Sequence, residues 1–430
     1  YDGIFYNNSG ADIDNWEISF EVPADSKVDS SWNGEFTIEN NVLTIKPVDY
    51  NTNVADGTNI SIGMIFITPD DTYTPKAITI KVDGVEYKSG DKEKATTTES
   101  TTEAEKETNK EAAKEDSSKT PVANHGKLSL DGVNIVDESG NVVQLKGVST
   151  HGINWFPEYV NEEAFKTLRD DWKVNTIRLA MYTDDYNGYC SGGNQEELKK
   201  LLNDGVTYAT KLGMYAIIDW HILNDSTPVK NQKAAENFFE EMSKKYADSN
   251  NVIYEICNEP NGGTSWSEIK GYAESVIAII RANDPDAIII VGTPNWSQDV
   301  DVASKDPIDD KNVMYALHFY ATTHTDGIRS KAKTAIDNGA PIFVSECSIC
   351  DASGNGSIDY NQADKWMEFI NTNNLSMACW NLSNKDESSS LIAASCKATS
   401  GWSDSDYSDT GKWFKEQYSI RGTFRPYTLS

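Results

Sequence analysis

Two glutamates in this sequence each lie directly after a short apolar run. Glu259 follows residues 252–257 in "NNVIYEICNEP", and Glu346 follows residues 342–344 in "APIFVSECSICD". Val, Ile and Tyr favour enclosed strands, so we predict each carboxylate at the carboxyl end of a buried strand. That is where α/β proteins place their chemistry, and two carboxylates there could serve acid–base or covalent catalysis.

Such a pair suits the hydrolysis of glycosidic bonds. One carboxylic acid protonates the leaving oxygen, and one carboxylate acts on the other face of the sugar. Arg178 beside Glu346 would keep that group ionised, while burial and the neighbouring negative charge would let Glu259 hold a proton. Trp380 offers a flat apolar face for a sugar ring, and Asn258 can hydrogen-bond a hydroxyl beside the reacting carbon.

Other kinds of site lack their signatures in this sequence. A serine nucleophile elbow, G-x-S-x-G, does not occur. Cys347 and Cys350 form a lone C-x-x-C, whereas a zinc site would need a second pair, so we expect no metal and no cofactor. The stretch "DASGNGSIDYNQ" resembles a calcium loop, but Gln362 occupies the position of the bidentate glutamate, and an ordinary turn is the alternative.

The elements that must position these residues alternate between strand and helix from His125 onward. Eight strand-like runs, such as "NTIRLAMY" and "NVMYALHFY", are separated by amphipathic stretches such as "EEAFKTLRDDW". This order, over roughly 300 residues, predicts a (β/α)8 TIM barrel across residues 125–430. A doubly wound sheet is the rival, but it would usually carry a glycine-rich phosphate loop after its first strand, and "LKGVSTHG" is not one.

In such a barrel the carboxyl ends of all the strands line one mouth. Two glutamates that converge there with Arg, His and Trp side chains indicate a catalytic site rather than separate structural residues. The side chains predicted at these ends are His151, Arg178, Asp219, Trp220, His221, Asn258, Glu259, Trp296, His318, Tyr320, Glu346 and Trp380.

The amino-terminal part of the chain has a different character. Residues 1–88 contain alternating apolar and polar runs, such as "WEISFEV" and "KAITIKVDGVEY", which predict a small all-β sandwich. Residues 89–124 include "KATTTESTTEAEKETNKEAAKEDSSKTP", which has no aromatic or large aliphatic residue and cannot bury a core. We therefore predict a disordered linker between the sandwich and the barrel.

Motifs along the barrel region resemble glycoside hydrolase family 5, in particular its bacterial endo-β-1,4-glucanases. They include "LKGVSTHGINWF", "IIDWHIL", "VIYEICNEPNG", "IFVSE" and "CWNLSNKDESS", and the resemblance covers residues 125–420. It implies a TIM barrel and a retaining mechanism, with Glu259 as general acid/base and Glu346 as nucleophile. It also implies supporting positions for Arg178, His221, Asn258, His318, Tyr320 and Trp380, and positions lining a glucan cleft for His151, Trp155, Tyr182, Trp296, Lys385 and Glu387.

The sequence departs from the family pattern directly after Glu346. An aromatic residue and a glycine usually follow the nucleophile, whereas Cys347 and Ser348 follow it here. A thiol beside the active carboxylate could oxidise or pair, so we expect weaker or less stable activity. The changes Cys347→Trp and Ser348→Gly are then expected to leave or raise turnover.

The segment 1–88 resembles family 2 carbohydrate-binding modules in its order of strands and turns. The resemblance lies in "NNSGADIDNWEISFEVP", "SSWNGEF" and "VDYNTNVADGTNISIGMIF". Such modules stack exposed aromatic side chains on flat glucan chains. Trp32 and Tyr50 match candidate binding positions, whereas Trp16 is expected to be structural. An inert spacer domain is the alternative.

Charge and composition limit the classes of binding partner that we expect. The formal net charge of −29 argues against nucleic acid, because 67 acidic residues would repel phosphate. No apolar run approaches the ~20 residues of a membrane-spanning helix, and nothing indicates a symmetric apolar face, so we expect no membrane partner and a monomer. The linker, the acidity and a polymeric β-1,4-glucan substrate together predict a secreted, extracellular retaining endo-β-1,4-glucanase. Another β-glycanase, acting on mannan, xylan or mixed-linkage glucan, and a catalytically impaired glycan-binding protein remain alternatives.

Overall fold

The amino-terminal and carboxyl-terminal parts of the chain form separate units, residues 1–106 and 107–430. The computed structural model describes residues 2–6, 13–49, 51–54, 59–69, 78–82, 85–88, 116 and 118–419. The candidate binding residue Tyr50 lies outside the described residues. So does the predicted linker 89–124, apart from residues 116 and 118–124.

Antiparallel strands build the amino-terminal unit. Those in the described residues are β1 (Asp2–Tyr6), β2 (Trp16–Glu21), β3 (Lys27–Trp32), β4 (Glu35–Glu39), β5 (Val42–Lys46), β6 (Asn59–Ile67), β7 (Thr79–Val82) and β8 (Val85–Lys88). They form two sheets, with the orders β1–β6–β3 and β4–β5–β2–β7–β8. Both sheets contribute to one apolar core, so the all-β prediction is confirmed.

That core surrounds Trp16. Its side chain is 1% exposed, and its Nε1–H donates a hydrogen bond to the Asn51 carbonyl at 2.9 Å. Trp16 is therefore a structural residue, as expected. Trp32, in contrast, is 40% exposed at the end of β3.

Eight parallel strands close into a barrel in the carboxyl-terminal unit, so the predicted (β/α)8 architecture is confirmed. Each strand neighbours the next one in the sequence, and the last pairs with the first. The strands are β11 (Lys146–Thr150), β12 (Thr176–Tyr182), β13 (Tyr215–His221), β14 (Val252–Glu255), β15 (Ile289–Val291), β16 (Val313–Tyr320), β17 (Ile342–Ser348) and β18 (Ser376–Leu382).

Helices follow the strands and bury one apolar face. Local signals set where they begin: the helix after Ser265 starts with a capping box between Ser265 and Glu268. None of the described helices combines the length and the apolar character that a bilayer crossing requires. The helices are α1 (Pro121–His125), α2 (Glu162–Trp172), α3 (Gln195–Lys211), α4 (Gln232–Tyr246), α5 (Trp266–Arg281), α6 (Pro294–Ser297), α7 (Val300–Ala303), α8 (Asp326–Asp337), α9 (Tyr360–Thr372) and α10 (Asp409–Ser419).

Strand alternation separates the barrel interior from the shell beneath the helices. In β13, Ile217 joins an apolar cluster at the amino end of the barrel, while Ile218 and Trp220 pack in the shell. Because side chains alternate along a strand, Asp219 and His221 face the interior above Ile217. The barrel therefore has an apolar floor and a polar mouth.

Elements that the sequence did not predict cover that floor. A hairpin of β9 (Ser129–Asp131) and β10 (Asn134–Val136) contributes Ile135 to the floor cluster, and Leu128, the residue before β9, also belongs to that cluster. Helix α1 is tied to the barrel by a hydrogen bond from the Val122 N–H to the Gly213 carbonyl at 2.9 Å. Since α1 begins within the segment 89–124, the last residues of that segment pack with the barrel.

Candidate active site

The two predicted catalytic glutamates lie together at the mouth. One carboxylate oxygen of Glu259, one of Glu346 and one ring nitrogen of His318 lie within 4.8 Å of one another. Glu346 belongs to β17, and Glu259 lies in the loop after β14, where its N–H donates to the Ile222 carbonyl at 3.3 Å. Glu346 accepts hydrogen bonds from Arg178 and Tyr320, and His318 is hydrogen-bonded to Ser345. These contacts hold the three groups together, and we assign no metal to them.

A β-bulge turns Glu346 into the mouth. Three steps along β17, from Phe343 to Glu346, match two steps along β16, and the pairing with β18 shifts at the same place. An extra residue of this kind breaks the alternation of side chains. Ser345 and Glu346 consequently both face the interior, while Cys347 faces the helical shell.

Both oxygens of the Glu346 carboxylate accept a hydrogen bond. Arg178 Nη1 donates to Oε2 at 3.1 Å, and Tyr320 Oη donates to Oε1 at 2.8 Å. Burial, reinforced by the charges of Glu346 and Glu259, raises the pKa of Tyr320 well above its ordinary value. The phenol therefore keeps its proton, and the plane of the Glu346 carboxylate is fixed.

Arg178 is fully buried among acidic side chains. It donates two hydrogen bonds to Glu255, at 2.7 and 3.1 Å, and lies 3.0 Å from Asp219. Burial works against its charge, but the carboxylates of Asp219, Glu255 and Glu346 together raise the pKa of Arg178 well above its ordinary value. Burial likewise opposes ionisation of Glu255, yet the Arg178 guanidinium lowers the pKa of Glu255 to about 2. The centre of the site is thus a buried ion pair.

Asp219, His221 and Asn258 lie beside that ion pair. Burial raises the pKa of Asp219 well above its ordinary value and lowers the pKa of His221 to about 3. His221 Nδ1 lies 2.6 Å from Asp219, and His221 Nε2 accepts a hydrogen bond from Asn258 Nδ2 at 3.2 Å. The side-chain oxygen Oδ1 of Asn258 accepts a hydrogen bond from Arg178 at 2.6 Å, so both ends of the side-chain amide are hydrogen-bonded.

A cleft of about 740 Å³ contains the two glutamates. Arg178 and Asn258 are fully buried behind its surface. Trp380 forms part of the wall and stacks on His221, with ring centroids 5.3 Å apart. The predicted site residues that line the cleft are His151, Trp155, Tyr182, His221, Glu259, Trp296, His318, Tyr320, Glu346, Trp380, Lys385 and Glu387.

Aromatic side chains flank the glutamates from opposite sides of the barrel. Trp155 follows β11, packs on Tyr182 with ring centroids 4.4 Å apart, and donates to the Tyr186 carbonyl at 2.8 Å. Trp296 follows β15 and is 44% exposed. Because β11 and β15 are four strands apart in a closed barrel of eight, the two tryptophans lie across the mouth from each other.

Trp296 is presented by a left-handed turn. Asn295, Trp296 and Ser297 have φ angles of 59°, 55° and 54°, which non-glycine residues seldom adopt. The Trp296 N–H donates to the Pro260 carbonyl at 2.9 Å, and Ser297 Oγ donates to the Asn258 carbonyl at 2.6 Å. These hydrogen bonds attach the segment that carries the exposed indole to the loop that carries Glu259.

The other end of the cleft has a polar rim. Lys385 Nζ lies 2.6 Å from Glu387, and both side chains lie close to His151. Burial, together with the positive charge of Lys385, lowers the pKa of His151 to about 3. The imidazole is therefore neutral, and its Nδ1 accepts the Gly152 N–H at 2.7 Å.

Several interior residues of the site were missed from the sequence. Glu255 and Ser345 are fully buried, and Ser345 Oγ donates a hydrogen bond to Glu255 Oε1 at 2.8 Å. Neither residue was among the predicted site residues. A signal for Glu255 existed, because a carboxylate inside an apolar strand needs a buried cation. Ser345 carried no such signal. Asp185, His324 and the loop 352–354 also line the cleft without having been predicted.

The expectation that the Cys347 thiol lies beside the Glu346 carboxylate is wrong. Its side chain is fully buried in the shell, in register with Cys379 of β18, on the other side of the strand from Glu346. All six cysteines lie in the described residues and are unpaired. A tryptophan at position 347 would overpack the shell, at a cost of about 1–3 kcal/mol, so Cys347→Trp has no reason to raise turnover.

The contacts of the loop from Asp351 favour a turn over a calcium site. Asp351 accepts the Ser353 N–H at 2.8 Å, as in an ordinary turn. The Asp359 side chain caps the start of α9 by accepting a hydrogen bond from the Gln362 N–H at 3.0 Å. The Gln362 side chain accepts a hydrogen bond from Arg329 at 2.8 Å. The position that would supply the bidentate ligand is thus engaged elsewhere.

Comparison with known families gives two matches. Residues 136–386 match the family described as cellulase (glycosyl hydrolase family 5), and residues 4–86 match the cellulose binding domain family. The first match spans more than half of the chain and contains both glutamates.

Characterised relatives agree with these matches. Endoglucanase A of Butyrivibrio fibrisolvens is 49% identical over 298 residues, which cover 69% of this chain and 69% of the relative. An endoglucanase of Clostridium saccharobutylicum is 46% identical over 301 residues, covering 69% of this chain and 66% of the relative. Endoglucanase E-5 of Thermobifida fusca is 33% identical over 420 residues, which cover 96% of this chain and 86% of the relative.

Solved structures of similar proteins extend the comparison. Cellulase Cel5C_n has 40% sequence identity and a TM-score of 0.67, over 71% of this chain and 96% of that chain. The catalytic domain of Thermobifida fusca endoglucanase Cel5A, in complex with cellotetraose, has 35% identity and a TM-score of 0.67, over 70% of this chain and all of that domain.

Proposed function

The chain belongs to glycosyl hydrolase family 5, and on that premise we propose that it is an endo-β-1,4-glucanase that hydrolyses internal bonds of cellulose and related β-glucans with retention of configuration. The observation that carries the proposal is the spacing of the two carboxylates, whose nearest oxygens are within 4.8 Å. Retaining glycosidases hold their carboxyl groups ~5 Å apart, whereas inverting enzymes leave ~6.5–9.5 Å for a water molecule.

In the first step Glu346 attacks the anomeric carbon while the glycosidic bond breaks. The hydrogen bonds from Arg178 and Tyr320 hold the carboxylate in place for this attack. Glu259 gives its proton to the departing oxygen, so the leaving sugar departs as an alcohol. The product of the step is a glycosyl ester on Glu346.

In the second step a water molecule takes the place of the leaving sugar. Glu259, now a carboxylate, removes a proton from the water, and the hydroxide oxygen attacks the anomeric carbon. The bond to Glu346 breaks, which restores its carboxylate, and Glu259 again carries a proton. Two inversions at one carbon give overall retention.

Cleavage within a chain fits the aromatic platforms. Trp155 and Trp296 lie on opposite sides of the mouth with the glutamates between them. Sugar rings stack well on aromatic faces, so a glucan held by both platforms would pass the glutamates in mid-chain. The intact hydrogen bonding of both carboxylates argues against a catalytically impaired glycan-binding protein.

The stereochemical outcome tests the proposal directly. Cellotetraose incubated with the full chain is expected to release the β-anomer first, because a covalent intermediate inverts the anomeric carbon twice. Proton NMR resolves the two anomers before they equilibrate. The α-anomer as first product would exclude Glu346 as a nucleophile. Release of reducing ends from carboxymethylcellulose, compared with mannan and xylan, separates the glucanase from other β-glycanases.

For residues 1–88 we propose cellulose binding through Trp32. The side chain is 40% exposed at the end of β3, and exposed aromatics of this kind stack on glucan chains. Tyr50, the second candidate, lies outside the described residues. We take the segment 89–124 as the linker up to α1. We also propose that the protein is secreted and extracellular, because a glucan polymer is degraded outside the cell. We further propose that it is a monomer without nucleic-acid partners.

The change Trp32→Ala is expected to weaken binding of the full chain to crystalline cellulose about tenfold or more, because one stacked aromatic contributes on the order of 1–3 kcal/mol. Sedimentation with cellulose measures the bound fraction, and soluble cellotetraose reports that the barrel still works. Ile67→Ala is the control, since Ile67 is also apolar and 54% exposed. Equal binding by native chain and Trp32→Ala would favour a spacer domain.

A further inference from the structure

A chain of hydrogen bonds joins the buried carboxylate of Glu255 to Glu259. Ser345 Oγ lies 2.8 Å from Glu255 Oε1 and 2.9 Å from His318 Nε2. His318 Nδ1 lies 2.9 Å from Glu259 Oε1. Glu255 and Ser345 are fully buried, and His318 is 1% exposed. Ser345 faces the interior two residues after the inward-facing Phe343, and the bulge in β17 then places Glu346 beside it.

The direction of each hydrogen bond follows from the donors present. Glu255 is ionised against Arg178, so it can only accept. The single hydroxyl proton of Ser345 must therefore point to Glu255, and the Ser345 oxygen accepts the Nε2–H of His318. This leaves His318 Nδ1 facing Glu259, with one further proton between the two atoms.

We propose that Glu255 and Ser345 are positioning residues for the acid step: they keep a proton on His318 Nε2, aim Nδ1 at Glu259, and so set the pH at which the His318–Glu259 pair loses the proton it shares. The proposal deepens the proposed function and rests on Glu259 being the general acid. Neither Glu255 nor Ser345 lines the cleft, so neither touches the substrate.

The surroundings of His318 favour the protonated pair. Burial opposes a charge on the ring, but the Glu255 carboxylate 3.8 Å from Nε2, the hydrogen bond to Glu259 and the charge of Glu346 raise the pKa of His318 to about 9. Among the other groups that face this region, His221 is neutral because burial lowers its pKa to about 3, and Arg178 is bound by Glu255 and lies 3.0 Å from Asp219, whose own pKa burial raises. His324, beyond β16, is also neutral, because burial lowers its pKa to about 4.

The pair matters at both steps of the reaction. When the glycosidic bond breaks, the shared proton leaves with the departing alcohol, and His318 and Glu259 together hold one proton fewer. The attacking water returns that proton in the second step. Above the pH at which the free pair loses its proton, the first step has no acid, so the pair sets the basic limb of the pH profile of kcat/KM.

The deciding experiment measures kcat/KM on cellotetraose against pH for the full chain and for Ser345→Ala. Without the Ser345 oxygen, protonated His318 loses an acceptor, so the basic limb is expected to move to lower pH by about one unit. Ser345→Thr keeps the hydroxyl and should restore the native limb. Ser348→Ala is the matched control, because Ser348 is equally buried on the same strand and bonds only weakly, to the Cys350 thiol at 3.6 Å.

NMR spectroscopy measures the protonation of the His318–Glu259 pair in the absence of substrate. The imidazole ¹⁵N signals of His318, assigned with His318→Gln among the five histidines, should show a protonated Nε2 in the native chain. In Ser345→Ala and in Glu255→Gln they should titrate at lower pH. An unmoved basic limb and an unmoved His318 titration in Ser345→Ala would overturn the proposal. Full glucanase activity in Glu259→Gln would instead overturn the acid assignment, and with it the proposed function of that residue.

Discussion

The change Glu346→Gln is expected to lower kcat on carboxymethylcellulose by at least about 10⁴-fold, because the amide cannot form the glycosyl ester. The amide is nearly isosteric: its oxygen can still accept from Arg178 while its NH2 group donates to the Tyr320 oxygen, so binding of cellotetraose should persist. Reducing-end release measures turnover, and tryptophan fluorescence measures binding. Glu196→Gln, whose side chain is 83% exposed on α3, is the control and should match the native chain.

Rescue by azide separates the two glutamates. In Glu346→Ala, azide can enter the space of the lost carboxylate and attack the sugar once, which gives an α-glycosyl azide. In Glu259→Ala, azide instead replaces water in the second step and gives the β-product, provided the substrate has a leaving group that needs no proton. The reverse pattern, or normal activity of Glu346→Gln, would contradict the assignment of roles.

The change Arg178→Met is expected to lower the free energy of unfolding of the barrel by roughly 3–5 kcal/mol. The thioether side chain fills space but leaves Glu255 and its neighbours buried without their cation. Denaturant unfolding followed by tryptophan fluorescence measures the loss. Lys200→Met is the control. Its ion pair with Asp204 is exposed, so we expect little or no loss of stability.

The loss should depend on pH in a defined direction. The pKa of Glu255 in the folded protein is about 2, below its ordinary value of 4.5. A carboxylate with a lowered folded pKa contributes its stability above the unfolded pKa and loses it as the pH falls towards the folded one. The difference between native chain and Arg178→Met should therefore be full near neutral pH and shrink below about pH 4.5. A difference that does not change with pH would argue that Arg178 acts through packing alone.

The sequence by itself determined the architecture and the membership of the site. Runs of β-branched and aromatic residues at regular spacing predicted all eight barrel strands, because both strand propensity and helix amphipathicity are local properties. The same strands, read to their carboxyl ends, located Glu259, Glu346, His221 and His318. No knowledge of contacts was needed for this, since every parallel strand of a closed barrel delivers its carboxyl end to one mouth.

Only the tertiary structure decided which way the side chains at that mouth point and what they bond. Strict alternation from Phe343 would have turned Cys347 inward and Glu346 outward, and the bulge against β16 and β18 reverses this. The hydrogen bonds of Arg178 reach Glu255 and Glu346, which are 77 and 168 residues away. Pairing register and contacts at such separations depend on strands that meet only when the barrel closes, so no local pattern in the sequence encodes them.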